Sequence, residues 1–368
     1  MHQGHRPARR PRPPERAPVK SRLRTVRLEL AEPLRISRSV MAARDAVWLT
    51  VEHDGLRGHG EAVTSVYYGL GTDRLIRLLT AADPGRFADP ESALEALRAG
   101  EWPGVDVPAA VTAAVESALL DLAGKRAGVP VHRLLGAAEP PVAATARTIG
   151  ITTPGRAAAQ ARRLAASGFE IIKVKAGAPD PQDDIERVRS VRRAAPRARL
   201  LLDPNGAWSM AQAAALLPRF ADLGVEAVEQ PVAPGDPDAL GALAERAPLP
   251  VIADEDAVDL DDVRRLAGRV QGVNVKLAKC GGVHTALRIA ESIEGSGTAL
   301  MLGCLTASTL GLAPAVHLAG RARWADLDGH LLLAHDPWTG IGGGDGVVRA
   351  SGSPGLGVEE VAAREDVA

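Results

Sequence analysis

Five stretches decide the fold: EIIKVKAG at 170–177, ARLLLDPNG at 198–206, VEAVEQP at 225–231, PVIADE at 250–255 and GVNVKLAKCGG at 272–282. Each is a short apolar run, and each carries a charge near its C-terminal end: Lys175, Asp203, Glu229, Asp254 and Lys276. The steps between these charges are 28, 26, 25 and 22 residues, one strand–helix unit apiece. Amphipathic stretches such as DIERVRSVRRAA and SMAQAAALLPRF fill the gaps, and such alternation implies parallel strands joined by right-handed crossovers. A sheet buried on both faces does not end strand after strand in charge unless those ends share a wet cavity. The C-terminal mouth of a (β/α) barrel is such a cavity and is where barrel active sites lie. VAATARTIG (142–150) before these runs, and ALMLGC (299–304) and RWADLDG (323–329) after them, bring the total to eight strands with seven intervening helices. The expected architecture is therefore α/β, a TIM-like (β/α)7β barrel over 141–337.

Working outward, VRLEL, AVWLTVEH and the turn HDGLRGHGEA read as a β-meander, and residues 107–126 carry apolar residues at helical spacing. Residues 25–140 are thus expected to form an α+β capping domain. The Gly-rich, short-stranded text of 338–368 is expected to return to it, so that both ends of the chain build the cap. Residues 1–24, rich in Pro and Arg, read as a disordered basic tail with no apolar core of a signal peptide.

Hydrophobic residues make up 46% of the 368 and charged residues 24%, which excludes a disordered chain over most of its length. The net charge of −1 leaves no global electrostatic argument for nucleic acid or membrane. Two cysteines, Cys280 and Cys304, are too few for a disulfide framework, so a reducing, cytoplasmic setting is expected. Only six of the 44 basic side chains are lysine, and four of those fall in the strand-end motifs. An ammonium can release its proton where a guanidinium effectively cannot, so scarce lysines in apolar strands point to acid–base work.

Asp203, Glu229 and Asp254 end barrel strands three, four and five. Three adjacent carboxylates repel unless a cation sits among them, and an all-oxygen set argues for Mg²⁺, one per subunit, with Mn²⁺ as a substitute. Lys173 and Lys175 lie two apart on strand two and face the same way, an arrangement expected to depress the pKa of one of them. Lys276 ends strand six, diametrically opposite. A substrate held between them would lose a proton from one face of a carbon and regain one on the other, while the metal neutralises a carboxylate becoming an enediolate. A Schiff-base aldolase would need one activated lysine and no carboxylate triad, and a non-catalytic binding barrel would have no use for opposed lysines. Asp326 and Asp328 on strand eight, also two apart, suit a cationic group such as an α-ammonium, or alternatively cap the following segment.

IIKVKAG, LLDPNGAW, VEQPV, IADE and VNVKLAKCGG, with GHGEA in the cap and PGLGVE near the end, together resemble the enolase superfamily and its muconate-lactonizing-enzyme subgroup. The resemblance implies Mg²⁺ on Asp203, Glu229 and Asp254, Lys175 and Lys276 as the two acid/base lysines, Lys173 assisting Lys175, and Asn205 and Glu255 standing behind the ligands. DLDG at 326–329 followed by HLLLAHDP looks like the dipeptide epimerases, whose paired aspartates bind the substrate ammonium; Asp326 and Asp328 match. The expected function is Mg-dependent inversion of the α-carbon of the C-terminal residue of an L,L-dipeptide, in an enzyme that self-associates and has a small-molecule partner. N-acylamino-acid racemase, o-succinylbenzoate synthase and muconate-type cycloisomerase chemistry are the alternatives within the subgroup. Ala307 departs from the pattern, since relatives often carry Glu there. Arg38 is a candidate for a substrate carboxylate or an ordinary exposed arginine, and Tyr67 and Tyr68 fall in the loop expected to reach over the ligand.

Overall fold

A computed structural model describes residues 19–104 and 107–362. Three antiparallel strands open the fold: β1 (Lys20–Ile36), β2 (Ser39–His53) and β3 (Leu56–Val63), in the order β1-β2-β3. β1 thus begins inside the segment assigned to the basic tail; its residues 1–18 lie outside the described residues. Helices α1 (Thr72–Ala81), α2 (Pro90–Arg98) and α3 (Ala109–Ala127) follow. α3 packs so closely on β3 that a Cβ at Gly58 or Gly60 would meet its backbone at 2.1 and 2.0 Å. After the short α4 (Val131–Leu134) and β4 (Val142–Ala144), the chain enters an eight-stranded parallel sheet.

Its strands are β5 (Ala146–Ile149), β6 (Ile171–Lys175), β7 (Arg199–Asp203), β8 (Val225–Glu229), β9 (Val251–Ala253), β10 (Gly272–Lys276), β11 (Ala299–Gly303) and β12 (Trp324–Asp326), paired in sequence order. Between them run α5 (Pro154–Ala166), α6 (Pro181–Ala194), α7 (Met210–Asp222), α8 (Pro237–Arg246), α9 (Leu260–Leu266), α10 (Leu277–Cys280) with α11 (Val283–Ile293), and α12 (Thr309–Val316). Seven crossovers make this the (β/α)7β arrangement that the motif spacing predicts. Helix starts are written locally: Thr153, Asp180 and Asp236 accept from the first turn, with Pro at the first helical position of α5, α6 and α8. The seam between β12 and β5 is bridged by Leu327 N–H to Thr145 Oγ1 (2.9 Å) and by Thr148 N–H to Asp328 Oδ2 (2.7 Å).

Strand parity sorts the side chains. Ile172, Val174, Leu200, Leu202, Val273 and Val275 point outward into the apolar layer beneath the helices. Ile171, Leu201, Ala227, Ile252, Met301 and Trp324 point inward and plug the barrel floor as a separate apolar cluster. Two residues further along the strands the same inward parity brings Lys173, Asp203, Glu229, Asp254 and Asp326 into the interior, all of them buried. An apolar plug below and charge above is what lets this interior hold a polar site.

The C-terminal segment spans both parts. β13 (Trp338–Thr339) pairs with β15 (Glu359–Glu360), and β14 (Val347–Arg349) pairs with β4. Trp338 packs edge-on against Trp48 of β2 at 5.3 Å, Leu356 N–H donates to Asp121 of α3, and Glu360 pairs with Arg24 of β1. Among the described residues no helix is long and apolar enough to cross a membrane.

Candidate active site

Where the cap meets the barrel mouth lies a cavity of about 530 Å³. The β1–β2 turn and residues 64–68 form its roof; Lys173, Lys175, Asp254, Lys276, Asp326 and Asp328 are among the groups lining it below. Asp203 and Glu229 lie just beneath, held by the lysines.

Lys175 donates to Asp203 Oδ2 at 2.5 Å. Lys173, only 2% exposed, reaches Asp203 Oδ2 at 3.0 Å, Glu229 Oε2 at 2.5 Å and Asp326 Oδ2 at 2.7 Å. On the far wall Lys276 donates to Asp254 Oδ2 at 2.6 Å and stands 4.0 Å from Glu229 Oε1. Asn205, held at φ +51°, donates from both nitrogens to the Asp203 carboxylate, and Glu255 accepts from Arg38 at 2.7 Å. The metal and lysine candidates are thus gathered in one place, with Asn205 and Glu255 against them.

Like charge between Lys173 and Lys175, expected to depress the pKa of one of them, does not depress that of Lys173. Burial works to lower its pKa, but Asp203, Asp326 and Glu229 outweigh burial and hold the ammonium protonated well above its ordinary range. Lys276 is likewise raised, burial being outweighed by Asp254 and Glu229. Glu229 is pushed up to about 7, first by burial and then by Asp203 and Asp254. Burial disfavours the charged form of Asp203 and Asp254 too, yet the lysines prevail and hold both below the usual carboxylate range.

Asp326 Oδ2 accepts from Lys173, and its other oxygen has no hydrogen-bond partner. Asp328 accepts from the Thr148 N–H and from Arg147 at 3.2 Å, so it ties the barrel seam while lining the cavity. Its side chain does not cap the short 3₁₀ turn that follows it. Arg38 is not an isolated exposed arginine: besides Glu255 it donates to Asn205 O and lies 4.5 Å over the Tyr67 ring.

Sequence reasoning assigned no part to Lys279, Asn274 or Arg147. Lys279, on α10, turns back to donate to Asp254 Oδ1 (2.8 Å), Asp254 O (2.5 Å) and Asn274 O (2.8 Å). Asn274 donates to Glu229 Oε1 at 2.9 Å. The scarcity of lysine was a signal for Lys279; the inward parity of β10, shared with Lys276, was one for Asn274.

Among the described residues no three His, Cys, Asp or Glu side chains converge closely enough to ligate a metal as they stand, because each carboxylate is turned onto an ammonium. The donor set nevertheless fits a hard divalent cation. It is all oxygen, and Asn205 Oδ1, Glu229 Oε2 and Glu255 Oε2 are buried acceptors with no hydrogen-bond donor. Lys173 is close to Glu229 Oε2 but outside hydrogen-bond geometry. A surplus of buried acceptors beside three adjacent carboxylates is a cation's environment.

Residues 156–363 match the family described as enolase C-terminal domain-like, and residues 19–136 match the mandelate racemase/muconate lactonizing enzyme N-terminal domain. Over 316 residues the chain is 31% identical to the L-Ala-D/L-Glu epimerase of Bacteroides thetaiotaomicron, covering 86% of this chain and 81% of that protein. It is 32% identical over 348 residues to the hydrophobic dipeptide epimerase of Roseobacter litoralis, covering 92% and 98% respectively. The crystal structure of a dipeptide epimerase from Enterococcus faecalis, complexed with Mg and L-Leu-L-Tyr, superposes with a TM-score of 0.86 at 28% identity, covering 94% of this chain and all of that one.

Proposed function

The chain belongs to the enolase superfamily, in its mandelate racemase/muconate lactonizing enzyme branch, and from that premise we propose that it is a Mg-dependent dipeptide epimerase. The observation that carries this reading is the pair Lys175 and Lys276, on opposed strands β6 and β10, facing one cavity whose third wall carries Asp326 and Asp328.

One lysine, as the free amine, takes the α-proton of the C-terminal residue; the other, as the ammonium, delivers a proton to the opposite face, and the roles exchange for the reverse reaction. A divalent cation held by Asp203, Glu229 and Asp254 would bind the substrate carboxylate and offset the negative charge that builds on it as the α-proton leaves. Lys173 keeps Asp203, Glu229 and Asp326 at fixed positions, and Lys279 does the same for Asp254. Asp326, with an unpartnered oxygen, and Asp328 receive the substrate ammonium. The roof residues Arg38, Tyr67 and Tyr68 exclude water above the reacting carbon. Mn²⁺ suits the same oxygen donors, and two unpaired thiols in 368 residues suit a cytoplasmic setting. Self-association is carried over from the resemblance.

A second reading rests on Asp328, whose Oδ2 is already engaged by Thr148 and Arg147. That engagement favours a substrate without an ammonium, as in N-acylamino-acid racemisation. The test is incubation with Mg²⁺ in D₂O and a library of L,L-dipeptides beside a panel of N-acylamino acids, read by mass spectrometry. A gain of one deuterium in dipeptides supports the first reading; exchange confined to the N-acyl panel supports the second; silence in both sinks the shared two-lysine chemistry.

A further inference from the structure

Resting on the dipeptide reading, we propose that Arg44 selects an acidic side chain on the N-terminal residue of the substrate. Arg44 lies on β2 opposite Leu28 of β1, and Leu28 is buried, so the two share the inward face of the hairpin. The next pair along, Asp45 and Arg27, forms an exposed ion pair on the other face. Arg44 lines the catalytic cavity, and its NH1 is closed off from solvent yet finds no acceptor among the described residues. Burial pushes the guanidinium pKa down to about 10, against weak opposing pulls from Cys304 and Glu61. Neither group answers the charge. The Cys304 thiol is pushed far up by burial and by Asp326, so it is neutral. The Glu61 carboxylate is taken up by the Ser308 N–H and hydroxyl and by Trp48 Nε1.

A guanidinium nitrogen closed off from water without a partner is costly, and the other two arginines lining this cavity avoid that cost. Arg38 is paired with Glu255, and Arg27 with Glu29 and Asp45. Arg44 is left as a cation facing a ligand cavity, and the planar fork of a guanidinium matches a carboxylate.

Its position says which carboxylate. Arg38 touches Asn205 and Glu255, which follow β7 and β9; Arg44 is on the other side, beside Cys304, which follows β11. Cys304 is also within the field of Asp326 and Asp328. A dipeptide whose ammonium rests on those aspartates has the side chain of that same residue beside Arg44. The C-terminal carboxylate, directed toward Asp203, Glu229 and Asp254, is further away.

The test compares the isosteric pair L-Glu-L-Leu and L-Gln-L-Leu on the full chain with Mg²⁺, by calorimetric binding and by α-proton exchange in D₂O. Wild type should favour the acidic member at least tenfold in both readouts. Arg44→Met should bring the ratio to near one, and Arg44→Lys should restore part of it. Equal binding of the two peptides to wild type overturns the assignment even if the variants do not fold. A ratio that survives in folded Arg44→Met overturns it as well. Preference in binding without exchange in either peptide supports the Arg44 assignment and sinks the epimerase reading; exchange of both without preference does the reverse.

Discussion

Replacing Lys279 with Met separates a lysine that holds the site together from one that works in it. The Lys279 side chain is 1% exposed and its ammonium contacts the Asp254 carboxylate and two backbone carbonyls. Removing it leaves Asp254 with Lys276 as its remaining ammonium and takes a donor from two buried carbonyls, of which Asp254 O still accepts from the Ala257 N–H. Breaking a buried pair costs about 3–5 kcal/mol, and the carbonyl losses overlap with that figure rather than adding to it. With unfolding entropy of about 2.1 cal/mol/K per residue, 368 residues convert about 4 kcal/mol into a melting shift of roughly 5 °C. Lys175→Met removes one hydrogen bond, to Asp203, from an ammonium at the cavity surface. It should melt within about 2 °C of wild type while losing turnover by roughly 10²–10⁴-fold. Calorimetry with parallel exchange kinetics decides the matter. A Lys279→Met melt within a degree of wild type, or a larger stability loss in Lys175→Met, refutes the division of labour.

Saturating Mg²⁺ at about 100 times its Kd should stabilise the fold by about 2.7 kcal/mol, raising the melting temperature roughly 4 °C over a chelated sample; Asp203→Asn should abolish the shift. Asp328→Ala should lower kcat/KM for dipeptides roughly 10- to 100-fold, from a lost charged contact of about 1.5–3 kcal/mol, with little change in Mg²⁺ affinity. The same variant should also melt lower, because Thr148 N–H loses its acceptor across the seam. Glu116 of α3 accepts the Val283 and His284 N–H groups at the start of α11, yet burial pushes its pKa up to about 7. The folded state therefore holds this proton more tightly than the unfolded one. The resulting stabilisation, about 3 kcal/mol, is present in full below about pH 4.5 and lost as pH rises toward 7. Glu116→Gln should flatten that part of the stability–pH curve, which urea unfolding at pH 5, 6 and 7 would measure.

The barrel was legible because its strands carry a double signal: apolar runs of strand length, and a charge recurring near the end of each. Period-two parity then placed Lys173 with Lys175, and the same parity in β10 pairs Asn274 with Lys276. Contacts that cross elements were illegible. The spacing of Lys173 and Lys175 says nothing of Glu229 or Asp326, whose carboxylates come from strands two places away on either side of β6 and hold the Lys173 pKa up. Lys279 reads as a residue of a short helix, and only the fold turns it back onto Asp254. Asp328 reads as a free carboxylate beside Asp326, although the seam claims one of its oxygens. In the cap, α1 and α2 were not read, although Leu75 and Leu79, and Ala93, Leu94 and Leu97, recur at helical spacing within these ten- and nine-residue stretches. GHGEA was recognised as a motif without its physical role, which is to send Glu61 to Ser308 at the start of α12.

The central claim is that Lys175 and Lys276 address opposite faces of one carbon. It is tested most directly by following α-proton exchange in D₂O, by NMR, from both epimers of a turned-over dipeptide with wild type, Lys175→Ala and Lys276→Ala. The account predicts that each variant loses inversion and still exchanges the α-proton of one epimer, a different epimer for each variant. Inversion surviving in either variant, or both variants exchanging the same epimer, would contradict it.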